Sequence, residues 1–178
     1  MSALTPDNVI LGLLAESPKH GYDILSYFGD VAHLGRIWKL STSQIYNVLK
    51  RLEAQGTVIG DQIITENAPP RTRYTLTDDG ILTLEEWLDE PYPSPSVRKI
   101  RVEFLSRLYV TYHLNRSPNA IIQRQRQACI AELARLQGEN TSVEIGIEGL
   151  VRHFTIAQLQ AIVPWLNQCD QLFSGGIK

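Results

Sequence analysis

The sequence lacks the features that mark membrane-spanning, secreted and disulfide-rich proteins. Its 178 residues contain two cysteines, and no apolar run approaches the roughly 20 residues that cross a bilayer. No basic residue precedes the short apolar stretch near the N-terminus, so this region does not resemble a signal peptide. We therefore expect a cytoplasmic protein with no membrane partner, in which Cys129 and Cys169 are buried free thiols.

Motifs for catalysis and for metal binding are also missing. The four histidines have no metal-ligand spacing with the cysteines, so we expect no metal site. The glycines match neither a dinucleotide-binding loop nor a phosphate-binding loop, and no nucleophile elbow occurs. We therefore expect a protein that is not an enzyme and that needs no cofactor.

Positive charge is scarce overall but locally concentrated. Residues 1–90 contain 7 basic and 13 acidic residues, whereas residues 91–178 contain 10 and 6. Between Arg36 and Arg73, however, six basic residues stand against three acidic ones. Total charge bears on solubility and steering rather than on fold, so this local excess is compatible with DNA contact but weak evidence by itself.

The N-terminal half predicts helices followed by a β-hairpin. The first helix begins near Thr5 and Pro6, and the second runs through residues 22–28. A third helix is capped within residues 41–43, has an apolar stripe at helical spacing and ends at Gly56; the stripe comprises Ile45, Val48, Leu49 and Leu52. Two strands, Val58–Thr65 and Arg73–Thr77, flank a proline-bearing loop, and a fourth helix follows from Asp78.

A proline-rich segment divides the chain. Three prolines within residues 90–96 exclude a helix there, and the segments beyond it are all helical in pattern. We therefore predict a winged helix-turn-helix domain at residues 1–90, a linker at 91–96 and a helical dimerisation domain at 97–178. The fold class is mostly α with a small β-hairpin wing.

The third helix has the composition of a DNA-recognition helix. Opposite its apolar stripe it presents side chains that can bond base edges or phosphates, and Arg71 and Arg73 end the wing. Any amphipathic helix has a polar face towards solvent, so the helix alone does not indicate DNA binding. The basic wing that follows it favours the DNA-binding interpretation. The predicted DNA-binding residues are Tyr22, Thr42, Ser43, Gln44, Tyr46, Asn47, Lys50, Arg51, Arg71 and Arg73.

Three motifs follow one another along the N-terminal half: HGYDIL at residues 20–25, STSQIYNVLKRLEAQG at 41–56 and RTRYTLTDDG at 71–80. Together they resemble the PadR family of bacterial transcriptional regulators. The resemblance implies a winged-helix N-terminal domain, a dimerising helical C-terminal domain and operator contact by Tyr46 and the polar face around it. It also implies repression, often relieved by a small molecule.

The C-terminal residues predict a homodimer. Residues 97–178 are too few and too interrupted to bury a large core alone, so apolar stripes there would need a partner. The predicted dimerisation residues are Phe104, Leu108, Tyr112, Phe154, Ile162 and Trp165.

Two functions fit these patterns. The first is a homodimeric repressor of a double-stranded, inverted-repeat DNA operator, relieved by a small-molecule effector. A two-fold dimer would place its two recognition helices one DNA turn apart, about 34–36 Å. The alternative is a winged-helix adaptor that binds other proteins and has no sequence-specific DNA binding, in keeping with the acidic total.

Overall fold

The computed structural model describes residues 4–64, 71–139 and 146–174, with the backbone alone at 170–174. The protein is mostly helical and has one small three-stranded antiparallel sheet. This confirms the predicted fold class, a helical chain with a β-hairpin wing. Among the described helices, no segment combines the length and apolarity needed to span a bilayer.

The N-terminal elements follow the predicted order, with two additions. A two-residue strand stands directly before the second helix, and a 3-10 turn precedes the third helix. The elements are α1 Asp7–Glu16, β1 Lys19–His20, α2 Gly21–Gly29, the 3-10 turn Leu34–Arg36 and α3 Thr42–Ala54.

The wing is a pair of antiparallel strands, β2 Val58–Ile63 and β3 Arg71–Leu76. Their register pairs Val58 with Leu76 and Ile63 with Arg71, so β3 begins two residues earlier than the alternation predicts. β1 adds to the outer side of β3 and gives the strand order β1-β3-β2. The predicted wing loop at 66–70 lies outside the described residues, and the helix α4 follows at Asp78–Leu88.

α1 supplies much of the core in this part of the chain. Every residue from Val9 to Leu14 is buried, so the helix is covered on most of its circumference. α3 buries only the predicted stripe, and Ile45 and Leu49 are fully inaccessible. The two helices contact each other, and α4 packs against α1 as well. α3 therefore buries one face and leaves the other exposed.

The described residues divide into two compact units, and the division differs from the predicted boundary. One unit lies within Met1–Asp89 and Leu105–Arg116, and the other within Glu90–Phe104 and Ser117–Lys178. The first helical elements after the proline segment are α5 Val97–Lys99, a π-helical turn Ile100–Phe104 and α6 Leu105–His113. Only α6 belongs to the first unit.

Contacts of α6 explain its place in the first unit. The indole nitrogen of Trp38 donates to the Ser106 hydroxyl over 2.9 Å, and both residues are buried. Val110 is fully buried against Gly12 of α1. The prolines thus mark an irregular segment, but packing decides which unit the following helix joins.

The second unit is built on two long helices, α7 Asn119–Gly138 and α8 Ile147–Ser174, which pack along each other. α8 continues through Pro164. Cys129 and Cys169 are buried thiols that form no disulfide bond, as expected. Phe104 is fully buried, and its ring meets that of Trp165 edge-on with centroids 6.0 Å apart.

The contact between α1 and α6 leaves no room for a side chain at Gly12. A Cβ there would lie 2.4 Å from the nearer Val110 methyl group. Gly12→Ala should therefore destabilise the protein by about 1–3 kcal/mol, and Val110→Ala should recover much of this loss in the double variant. Urea unfolding measures both effects.

Gly29 is the matched control, because a Cβ at this residue of α2 meets nothing within 4 Å. Gly29→Ala should leave the free energy of unfolding unchanged or raise it. Equal losses for Gly12→Ala and Gly29→Ala would contradict the packing described for α1.

An ion pair joins α1 to α3. Arg51 donates to both carboxylate oxygens of Asp7, over 2.8 and 2.7 Å. Burial alone would raise the pKa of Asp7, but the hydrogen bonds from Arg51 and Thr5 and the positive charge of Arg51 together outweigh it, and the pKa lies below its ordinary value. The charged carboxylate is therefore the form that stabilises the fold.

Asp7→Asn should lower the free energy of unfolding at neutral pH by about 1 kcal/mol, since Arg51 is 42% exposed and solvent screens the pair. The stabilisation is complete above the carboxyl's unfolded pKa of about 4 and is lost as pH falls through the lower folded value. Denaturant titrations at several pH values measure it.

Glu85→Gln provides the comparison, because Glu85 and Arg116 form an ion pair in which both side chains are more than two-fifths exposed. This change should cost less than Asp7→Asn. A difference between wild type and Asp7→Asn that stays constant down to pH 3 would exclude the proposed role of the Asp7 charge.

Candidate nucleic-acid interface

The start of α3 is fixed by a capping box. The Ser41 backbone N–H donates to the Gln44 side-chain oxygen over 2.8 Å, and the Gln44 N–H donates to the Ser41 hydroxyl over 3.3 Å. Bidentate bonding to adenine would use both amide atoms of Gln44, but its oxygen already serves the cap. In this structure only its NH₂ group is left for DNA.

The remaining polar residues on α3 face outward. Tyr46 is 40% exposed and lies outside the buried stripe of the helix. The Ser43 hydroxyl lies 3.0 Å from that of Ser41, whereas the side chains of Asn47 and Lys50 make no hydrogen bond to another described residue. The exposed predicted residues are Thr42, Ser43, Gln44, Tyr46, Asn47, Lys50 and Arg51.

Arg51 is already engaged within the protein. Its Nε and Nη2 atoms both bond Asp7, and this hydrogen bonding raises the pKa of the guanidinium group. A phosphate would have to compete with a bidentate carboxylate for these atoms. The structure thus gives Arg51 a stabilising contact beside the DNA contact predicted for it.

A cleft brings three of the predicted residues together. Tyr22 at the start of α2, Tyr46 of α3 and Arg71 at the start of β3 all line it. Tyr22 is 75% exposed, so its ring is accessible over most of its surface. The cleft also contains residues that sequence reasoning did not assign to the site, namely His20, Gly21, Asp23 and Thr72.

Gly21 lets α2 approach α3 closely. A Cβ at this position would lie 2.8 Å from Cε1 of Tyr46 and 3.0 Å from its hydroxyl oxygen. The signal for these missed residues is the HGYDIL motif, which places a histidine and a glycine directly before Tyr22. The motif alone does not reveal that they meet α3 and the wing.

Three of the predicted cationic residues carry no ion pair with any residue in the described part of the chain, namely Lys50, Arg71 and Arg73, and Arg71 lines the cleft. Arg71 and Arg73 are exposed alternate residues of β3 and therefore project from the same side of the strand. Asp61 is the strand partner of Arg73, and Asp23 lines the cleft, so acidic residues lie nearby. The site is therefore locally but not uniformly cationic.

The predicted dimerisation residues fall into two groups. Phe104 and Leu108 are buried within the single chain and have almost no surface to offer a partner, since Phe104 contacts Trp165 and Leu108 lies in the core. Ile162 and Trp165 are partly buried. Tyr112 and Phe154 are 48% and 63% exposed, so their rings remain accessible.

Comparison with known proteins places the chain in a family. Residues 10–86 match the family model described as "Transcriptional regulator PadR-like family". The "Negative transcriptional regulator PadR" of Bacillus subtilis (strain 168) is 36% identical over 130 residues, which are 72% of this chain and 69% of the relative.

Two solved structures of Bacillus subtilis PadR also match at 29% identity. The one in complex with operator DNA covers 93% of this chain and 97% of that chain, with a TM-score of 0.47. The one in complex with p-coumaric acid covers 95% and 98%, with a TM-score of 0.44. On the strength of the sequence match to the negative regulator, this chain belongs to the PadR-like family of transcriptional regulators.

Proposed function

We propose that the protein is a homodimeric repressor that binds an inverted-repeat DNA operator and releases it when a small molecule binds. One observation carries the DNA-binding part. The exposed polar face of α3 adjoins the cleft that contains Tyr22, Tyr46 and Arg71. The sequence match to a negative regulator that has been crystallised with operator DNA supports it.

The residues divide by role. Thr42, Ser43 and Asn47 are short polar side chains on an exposed helix face, suited to base edges in the major groove. Lys50, Arg71 and Arg73 are cations suited to phosphates, and the hydroxyls of Tyr22 and Tyr46 add neutral donors. Base reading is thus assigned to α3, and docking on the backbone to the cleft and the wing.

DNA selected from a random-sequence library gives the test. Asn47→Ala should reduce the preference for the selected site over random DNA by about 1–3 kcal/mol. Lys50→Met should weaken binding to both DNAs alike. It should also make the slope of log affinity against log salt concentration shallower by about 0.9 for each phosphate contact that is lost. Fluorescence anisotropy titrations at several salt concentrations measure both.

Asn119→Ala is the matched control, since Asn119 is exposed at the start of α7 in the other unit. Asn119→Ala should change neither the preference for the selected site nor the salt dependence of affinity. Failure to select any sequence at low salt would favour the adaptor function instead. Adding p-coumaric acid to the complex of the protein with the selected DNA tests whether a small molecule releases the operator. Dissociation of the complex would support this part of the proposal.

An apolar stripe on α8 supports the homodimer. Ile147, Leu150, Val151 and Phe154 follow helical spacing and are 76%, 67%, 56% and 63% exposed. A contiguous apolar surface of this kind is usually covered by a partner. Of the residues predicted from sequence, Phe154 lies in this stripe, so we assign the dimer contact to this part of α8.

Leu150→Glu and Phe154→Glu should each weaken the dimer by about 30-fold or more, because each places a charge in an apolar contact. Sedimentation equilibrium measures the dissociation constant. A monomer also cannot hold two recognition helices one DNA turn apart, so operator affinity should fall in the same variants.

Leu82→Glu serves as the control, because Leu82 is equally exposed, at 62%, but lies on α4. It should leave the dimer intact. Unchanged dissociation constants for both α8 variants would remove the stripe from the interface.

A further inference from the structure

His20 connects the start of α2 to the wing. It is the second residue of β1, and its strand partner on β3 is Arg73. Its Nδ1 atom lies 3.1 Å from the backbone oxygen of Thr72. A carbonyl oxygen can only accept a hydrogen bond, so Nδ1 carries the proton and donates it.

The other side of His20 is held by Asp23. The His20 backbone N–H donates to the Asp23 carboxylate over 3.0 Å, which fixes the first turn of α2. The histidine backbone therefore belongs to the helix start, whereas its ring belongs to the wing strand. Through its backbone and its ring together, His20 thus bonds both the start of α2 and β3.

The wing needs such a connection. β2 and β3 form a two-stranded ribbon, and β1 extends it by only two residue pairs. Two-stranded ribbons are only marginally stable in water. Arg71, which lines the cleft, directly precedes the residue whose carbonyl His20 binds.

We infer that His20 is a positioning residue for DNA binding: its ring bond to Thr72 holds Arg71 in the cleft beside Tyr22 and Tyr46. This inference rests on the DNA-binding function proposed above. It assigns His20 no contact with DNA of its own. The ring acts through Arg71, so its effect should disappear when Arg71 is removed.

The test compares His20→Ala, Arg71→Met and the double variant in the full chain. His20→Ala should weaken DNA binding about fivefold, the scale of one lost hydrogen bond. Like Arg71→Met, it should also reduce the salt dependence of affinity. In the Arg71→Met background, His20→Ala should change affinity by less than about twofold.

His20→Asn is the matched variant, because its side-chain amide can still donate to the Thr72 carbonyl. Its affinity should return towards that of wild type. Equal losses from His20→Ala with and without Arg71 would overturn the inference, as would a failure of asparagine to restore binding.

Hydrogen exchange in the protein without DNA separates this inference from the proposed function. His20→Ala should speed exchange of the β3 amides and leave those of α7 unchanged. A wild-type protein that binds no DNA would refute the proposed function. Unchanged β3 exchange, or unchanged DNA affinity beside a binding wild type, would refute the role of His20 alone.

Discussion

The first unit depends on α3 burying one face while the other stays bare. Ile45 and Leu49 are fully inaccessible, and α1 supplies apolar surface against which α3 packs. Because side chains on a helix are related by a fixed rotation, burying this stripe directs Asn47 and Lys50 outward, where their side chains make no hydrogen bond or ion pair to a described residue. The orientation of the DNA-facing residues is therefore a consequence of core packing.

Polar residues on α3 are not equally available to DNA, because the fold competes for some of them. The Gln44 oxygen completes the cap with Ser41, and Arg51 binds Asp7 through two hydrogen bonds. A helix wheel presents these residues and Asn47 as equivalents, yet only Asn47 lacks a described protein partner. Availability is thus a property of the tertiary structure and not of composition.

The helices and the wing could be predicted because their signals are local: caps, apolar spacing and strand alternation. The pairing of His20 with Thr72 could not, since 52 residues separate them and a two-residue strand has no periodicity. The apolar spacing also predicts that Phe104 and Leu108 are buried. It does not reveal whether a partner or this chain itself buries them, and here the chain itself does. Of the site, Tyr22, Tyr46 and Arg71 could be named individually, but not their shared cleft.

Because basic residues are few, their positions influence DNA affinity more here than in a strongly basic DNA-binding protein. Residues 1–90 hold 7 basic and 13 acidic residues, so this part of the chain taken as a whole does not attract a phosphate backbone. Attraction must come from the few cations near α3 and the wing, and nearby Asp23 and Asp61 oppose it. A displaced Arg71 would leave that repulsion in place, so the contacts that hold the wing directly influence affinity.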